Sequence, residues 1–138
     1  MYAVRVQYTS MLLRIDLKSS VPVYRQIVDR LRILLVNGEL RPGEQLPPVR
    51  RLATDLGIHF NTVAEAYRTL AEEGWLEIGR RSGARVIPRE APRTLDRETP
   101  GRFHRRLREL AAEMQACGFS RIRIVQELRR VADALEGD

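Results

Sequence analysis

The side chains that could do chemistry in this 138-residue chain fall into two unequal sets. The groups that enzymes use are sparse. Cys117 is the single cysteine, and the two histidines, His59 and His104, lie far apart in sequence. One cysteine makes no internal disulfide and no cysteine-based zinc site, and it fits a reducing compartment. Cys117 also closes an apolar stripe, which reads as packing rather than redox chemistry. Glu72 and Glu73 are neighbours, so on a helix they point different ways and read as solvated surface. No nucleophile and no phosphate-cradling loop accompanies them, so no catalytic constellation assembles. The chain is therefore expected to be no enzyme and to need no metal and no cofactor. The abundant set is cationic. Of 24 Lys and Arg residues 23 are Arg, against 18 Asp and Glu, for a net charge of +6 and a pI near 10.4. The positive balance makes nucleic acid the obvious acidic partner. The near absence of Lys has no single explanation, since guanidinium forks suit phosphate oxygens but genomic base composition could produce the same bias.

The placement of these groups says more than their excess. Arg50 and Arg51 form one basic pair. His59, Phe60, Asn61 and Thr62 follow in a run, with Glu65 and Arg68 at helical spacing beyond them. Arg80, Arg81, Ser82 and Gly83, with Arg85, make a glycine-bounded basic cluster. Asn can bond adenine with two hydrogen bonds, Thr can offer a hydroxyl to phosphate or a methyl to thymine, and His can donate to phosphate or guanine. Each feature also has a plainer reading. Asn61 and Thr62 could cap a helix, Arg51 could pair with Asp55 four residues on, and residues 80–85 could be a solvated turn. Tyr67 and Trp75 fall on apolar positions and are expected in the core rather than stacked on bases.

The elements that must position these groups follow from periodicity. Residues 1–10 alternate Tyr2, Val4, Val6 and Tyr8 with polar or small residues, as an edge strand or a disordered extension would. They lack the apolar core of a signal peptide, and Met11 offers a second possible start. From Val21 the pattern is helical: Pro22 in the first turn, then Tyr24, Ile27, Val28, Leu31 and Leu35, closed by Asn37-Gly38. A turn over 38–43 leads to a short helix starting near Pro48, with Val49, Leu52, Ala53 and Leu56 inward and Gly57 as its stop. Only Gly57, Ile58 and His59 separate it from a third helix carrying Val63, Ala66, Tyr67 and Leu70 and ending at Glu73-Gly74. Two short helices across a glycine-containing turn form a helix-turn-helix. Extended runs at 75–78 and 84–87 around the basic tip form a hairpin, and the whole is a winged-helix layout. In that layout the second helix enters the major groove, the first crosses the phosphate backbone, and a basic tip suits backbone or a narrow minor groove. The layout therefore favours DNA contact over capping for Asn61 and Thr62.

The expected division is an extension at 1–14, the winged helix at 15–88, a linker at 89–100 containing Pro92 and Pro100, and a tail at 101–138. The tail reads as two helices. The first carries Phe103, Leu107, Leu110 and Met114. Gly118 breaks it and Ser120 is a candidate N-cap for the second, which carries Ile122, Val125, Leu128, Val131 or Ala132, and Leu135. The short connection allows little but antiparallel packing. Neither stripe can be covered within so small a tail, so a second copy is expected to cover them, giving a homodimer. No apolar run approaches the ~18 residues that span a bilayer, so no membrane partner is expected. The fold class is mainly α with a small β-hairpin (α+β).

Pro22-Val-Tyr24-Arg-Gln26-Ile27, Gly38-Glu-Leu40-Arg-Pro42-Gly43, Leu46-Pro47-Pro48-Val-Arg50-Arg-Leu52-Ala53, Leu56-Gly57-Ile58, Asn61-Thr62-Val63, Ala66-Tyr67 and Glu73-Gly74-Trp75-Leu76 resemble the GntR family of bacterial transcription regulators. The resemblance runs from about Ile15 to Val86. It implies a sequence-specific, cytoplasmic DNA-binding regulator, expected to repress, that binds a palindromic operator in double-stranded DNA as a dimer. The short tail is similar to the YtrA-like branch, which implies dimerisation through the tail and no dedicated small-molecule domain. Arg50 matches the DNA-contacting arginine of the family's Leu-Pro-Ser-x-Arg motif, Asn61 and Thr62 match the start of the recognition helix, and Gly83 matches a wing-tip glycine. Three positions depart from the pattern. Pro48 replaces a capping serine, leaving the helix start to proline's fixed φ. Phe60 replaces a DNA-contacting arginine or a proline, so no base contact carries over, and a thymine methyl is what its ring could touch. Arg85 replaces an aromatic of the wing's return strand. A winged helix that binds protein instead is the alternative, and the basic groups at 50–51 and 80–85 argue against it.

Overall fold

A computed structural model describes residues 3–8, 11–79, 83–92 and 94–137. The chain forms two compact units, Met1–Glu90 and Ala91–Asp138. The first contains β1 (Ala3–Tyr8), β2 (Met11–Asp16), α1 (Val23–Val36), α2 (Val49–Leu56), α3 (Phe60–Glu72), β3 (Leu76–Gly79) and β4 (Gly83–Val86). The second contains α4 (Thr99–Ala116) and α5 (Arg121–Glu136). Helices with two small antiparallel sheets make the fold α+β, as the sequence pattern requires.

β1 and β2 pair antiparallel from Ala3 opposite Asp16 to Tyr8 opposite Met11. Along β2, Met11, Leu13 and Ile15 are buried while Leu12, Arg14 and Asp16 face out, the two-residue period of a half-buried strand. This strand corrects the expected division at residue 14, because β2 supplies core side chains to the same unit as the helices. Gln26 locks it to α1. Its Nε2 donates to the carbonyls of Asp16 (2.8 Å) and Val21 (2.9 Å), and its Oε1 accepts from the Asp16 N–H (2.8 Å).

The three helices then close one core. α1 buries Ile27, Val28, Leu31 and Leu35, α2 buries Leu52, Ala53 and Leu56, and α3 buries Val63, Ala66, Tyr67 and Leu70. Pro48 stands at the N-cap of α2 with φ −55° and no side-chain cap, so proline's fixed φ does set this start. Gly57 ends α2 at φ +71°, a left-handed conformation that strains any residue with a Cβ. The Tyr67 hydroxyl, deep in the core, donates to the Pro47 carbonyl at 2.7 Å and so ties the loop before α2 to α3.

The wing is the β3–β4 hairpin, paired from Leu76 opposite Val86 to Gly79 opposite Gly83. The loop before α2 extends it: Gly43 N–H donates to Val86 O (2.8 Å), Val86 N–H to Glu44 O (2.8 Å) and Leu46 N–H to Ala84 O (2.9 Å). On another face, Arg32 of α1 meets Glu73 with a forked pair of hydrogen bonds at 3.0 and 2.8 Å. Arg89 donates to the Glu73 carbonyl at 2.7 Å and lies 4.5 Å over the Trp75 ring. Trp75 is thus a packing residue, and the chain remains fastened through Arg89, which the sequence pattern assigns to a linker.

In the second unit the Asp96 carboxylate accepts from the N–H groups of Glu98 (2.9 Å) and Thr99 (2.8 Å) at the start of α4. Gly118 turns the chain at φ +101°, and Ser120 caps α5 by accepting from the Arg123 N–H at 3.1 Å, as expected. Phe103, Leu107 and Leu110 on α4 and Val125, Leu128 and Leu135 on α5 are exposed, and Met114 is half-buried. Ile122 is 74% exposed as well, and Ile124, 6% exposed, falls in helical phase with Leu128, Val131 and Leu135.

Candidate nucleic-acid interface

α2, the turn at Gly57 and α3 form the helix-turn-helix, and the hairpin β3–β4 is its wing. Arg50 sits in the first turn of α2, exposed, with its Cζ 4.9 Å from the centre of the Phe60 ring. Arg68 is exposed near the middle of α3. Among the described residues neither makes an ion pair. Both line a cleft of about 360 Å³ together with Val49, Tyr67, Ile78 and Gly83. The cleft thus gathers two predicted phosphate-binding side chains and the wing glycine on one face. Gly83 itself has φ +75°, and a Cβ there would lie 3.8 Å from the Pro48 Cα.

The run at 59–62 is arranged by a cap that the sequence pattern does not reveal. His59 is the N-cap of α3, and its Nδ1 accepts from the Asn61 N–H at 3.1 Å. A neutral imidazole accepting through Nδ1 carries its proton on Nε2, which leaves an N–H donor on the exposed ring. Because His59 takes the cap, the exposed carboxamide of Asn61 is not spent on the helix terminus. Thr62, half-buried, lies one residue further in. Phe60 is 40% exposed and stacks on the His59 ring with centroids 4.7 Å apart and planes 25° apart.

Two other predicted arginines have acidic neighbours. Arg85 meets Glu77, its cross-strand partner, at 3.0 Å. Both are exposed, and such pairs contribute only ~0–1 kcal/mol, so phosphate can displace the glutamate. Arg51 stands 3.9 Å from Asp55 and 5.1 Å from the centre of the Tyr8 ring. The Tyr8 hydroxyl donates to the same Asp55 oxygen. Burial, then the Asp55 hydrogen bond, pushes the Tyr8 phenol up to about 12. Tyr8 is a neighbour of the site that local pattern cannot find, since it reaches α2 from a strand far away in sequence. Arg80, Arg81 and Ser82 lie outside the described residues.

A helix-turn-helix with a two-stranded wing, and cations left unpaired between helix and wing, defines a winged-helix DNA-binding protein. Residues 23–86 match the family described as bacterial regulatory proteins, gntR family. The chain is also 30% identical over 126 residues to the HTH-type transcriptional repressor YtrA of Bacillus subtilis, covering 91% of this chain and 96% of that protein. The protein belongs to the GntR family of DNA-binding transcription regulators. Among solved structures it is similar to a GntR family transcriptional regulator from Listeria monocytogenes, with a TM-score of 0.51, 26% identity and coverage of 82% of this chain and 97% of that one. A second Listeria monocytogenes structure, titled a transcriptional antiterminator, shares the fold at a TM-score of 0.64 and 23% identity, over 95% of this chain and 90% of that one. Among the described residues no helix is long and apolar enough to cross a membrane.

Proposed function

We propose that this regulator is a homodimeric repressor, acting in the bacterial cytoplasm, that occupies a palindromic operator. In each half-site α3 enters the major groove, α2 crosses the backbone and the wing lies over flanking phosphates. Arg50 and Arg68 are the principal phosphate ligands. Arg51 and Arg85 join them by exchanging a carboxylate for a phosphate, and Arg80, Arg81, Ser82 and Gly83 form the wing's contact. His59, Phe60, Asn61 and Thr62 face base edges. The observation that carries this reading is the cleft lined by Arg50, Arg68 and Gly83, where among the described residues neither guanidinium is in an ion pair. Repression is the mode named for the similar Bacillus subtilis protein, and a dimer seated on DNA blocks other proteins from the same sites. The apolar side chains of α4 and α5, exposed in one chain, supply the surface for the second copy.

Equilibrium binding to duplex DNA across a salt series tests the reading. Several phosphate contacts give a steep linear fall of log K with log salt, and selection from random duplexes should return sequences with two-fold symmetry. Sedimentation should find a dimer. Undetectable duplex binding at low salt would overturn the proposal and favour a protein-binding role.

A further inference from the structure

Phe60 is a large apolar side chain on the exposed face of α3, the face that also carries Asn61, Glu65 and Arg68. It adds nothing to the core, whose α3 members are Val63, Ala66, Tyr67 and Leu70. An exposed aromatic at the first position of a helix gains little from burial and is a poor helix former. Yet the ring is held. The imidazole of His59 stacks on it at 4.7 Å and the guanidinium of Arg50 lies 4.9 Å from its centre. His59 is in turn fixed by the hydrogen bond from the Asn61 N–H. With these two planar groups packed on it, the ring still keeps 40% exposure through which a partner can reach it.

We propose that Phe60 is a specificity-determining residue that reads the 5-methyl group of a thymine in the major groove, with Arg50 and His59 as the residues that position its ring. The inference rests on the operator-binding reading above. Major-groove edges of adenine, guanine and cytosine present hydrogen-bond donors and acceptors, whereas thymine alone adds a carbon group. A phenyl ring buries that methyl favourably. Against any other base it strips water from a polar atom and returns no hydrogen bond. The positioning side chains also remove ring freedom before DNA arrives, so less is lost on binding. Arg50 ties this contact to the backbone: the same guanidinium that meets a phosphate braces the ring, so the phosphate register selects which base Phe60 meets.

The test uses the full chain and duplexes selected from a random pool. In the selected operator each thymine is replaced in turn, symmetrically in both half-sites, by deoxyuridine, which lacks only the methyl group. Replacement at one thymine position is expected to weaken binding about fourfold per half-site, the effect of one buried carbon, while other positions change little. Phe60→Ala should bind the thymine and uracil duplexes alike, and Phe60→Leu should keep part of the difference. Wild-type binding indifferent to uracil at every position overturns the proposal, as does an undiminished uracil effect in Phe60→Ala. Failure to enrich any sequence overturns the operator reading itself, and the methyl contact with it.

Discussion

In the winged unit Leu13, Ile15, Ile27, Leu31, Leu52 and Leu70 are fully enclosed, whereas in the tail Ile124 alone is buried among the described residues. Both regions are made of amphipathic segments with the same helical spacing. They differ in closure. Three helices and the strands β2, β3 and β4 surround a common centre in the first unit, while two helices of 18 and 16 residues can only lie side by side in the second. Phe103, Leu107, Leu110, Val125 and Leu128 therefore stay about half-exposed. Apolar periodicity says that a face must be covered, and topology decides whether the same chain can cover it. The tail leaves most of its apolar side chains exposed within the single chain.

The largest expected effect follows from separating the two regions. Deleting residues 101–138 should leave a folded, monomeric winged helix, since among the described residues the buried core of that unit runs from Met11 to Val86. Operator affinity should fall by roughly 10²–10⁴, because the second half-site is no longer held at high effective concentration. A truncated protein that still sediments as a dimer would break the comparison.

Single core changes should separate the regions on a smaller scale. Leu31→Ala removes a fully enclosed side chain and should destabilise the winged unit by about 2–5 kcal/mol in denaturant unfolding. Leu107→Ala should leave that unit's unfolding unchanged and shift the monomer–dimer equilibrium towards monomer. If the two substitutions destabilised the winged unit equally, the tail would be part of its core.

How the sequence announced these features depended on range. α1, α2 and α3 were legible because each buried stripe repeats at three and four residues and ends at a residue suited to stopping a helix, such as Gly57. Ser120 was legible as a cap because its oxygen reaches only locally. β2 was not, because apolar Leu12 beside Leu13 hides the alternation that Met11, Leu13 and Ile15 obey. In α5, Ile122, Ile124 and Val125 crowd together and permit two phases, and packing chose Ile124. The DNA-facing residues were legible by type and order, but their states were not. Asn61 and Thr62 are both better N-cap residues than His59, yet His59 holds the cap. The Arg32–Glu73–Arg89 brace and the Tyr8–Asp55 bond join residues distant in sequence, and no local pattern encodes such a meeting.

The same contrast between used and unused side chains applies within the arginines. Arg50→Ala should weaken binding to all duplexes, by roughly the loss of one phosphate contact, and reduce the salt slope by about one. Arg85→Ala should do less, because the wild-type guanidinium must first leave Glu77 at 3.0 Å. Salt titrations of the two variants on one operator check the order. An equal loss of slope would show that the Glu77 pair does not restrain Arg85.

The smallest effect tests whether the N-terminal hairpin belongs to the closed unit in solution. The Tyr8 phenol is raised from 10.0 to about 12 by burial and its hydrogen bond to Asp55. Below pH 10 both folded and unfolded chains keep this proton, so the contribution is present in full. Between pH 10 and about 12 the unfolded chain releases the proton first, so stability is lost progressively over that window. Tyr67 is raised in the same direction, chiefly by its burial, and adds to the loss. Tyr8→Phe should therefore reduce, without abolishing, the fall of the thermal midpoint between pH 9 and pH 11, and Tyr67→Phe should remove more of it. Tyr8→Phe also frees Asp55 to pair with Arg51, so its salt slope on operator DNA should flatten slightly. Asp55→Asn in that background should restore the slope, because the competing carboxylate charge is gone. An alkaline profile and a salt slope both unchanged by Tyr8→Phe would mean that the hairpin does not engage α2, and the enclosed unit would then begin at β2.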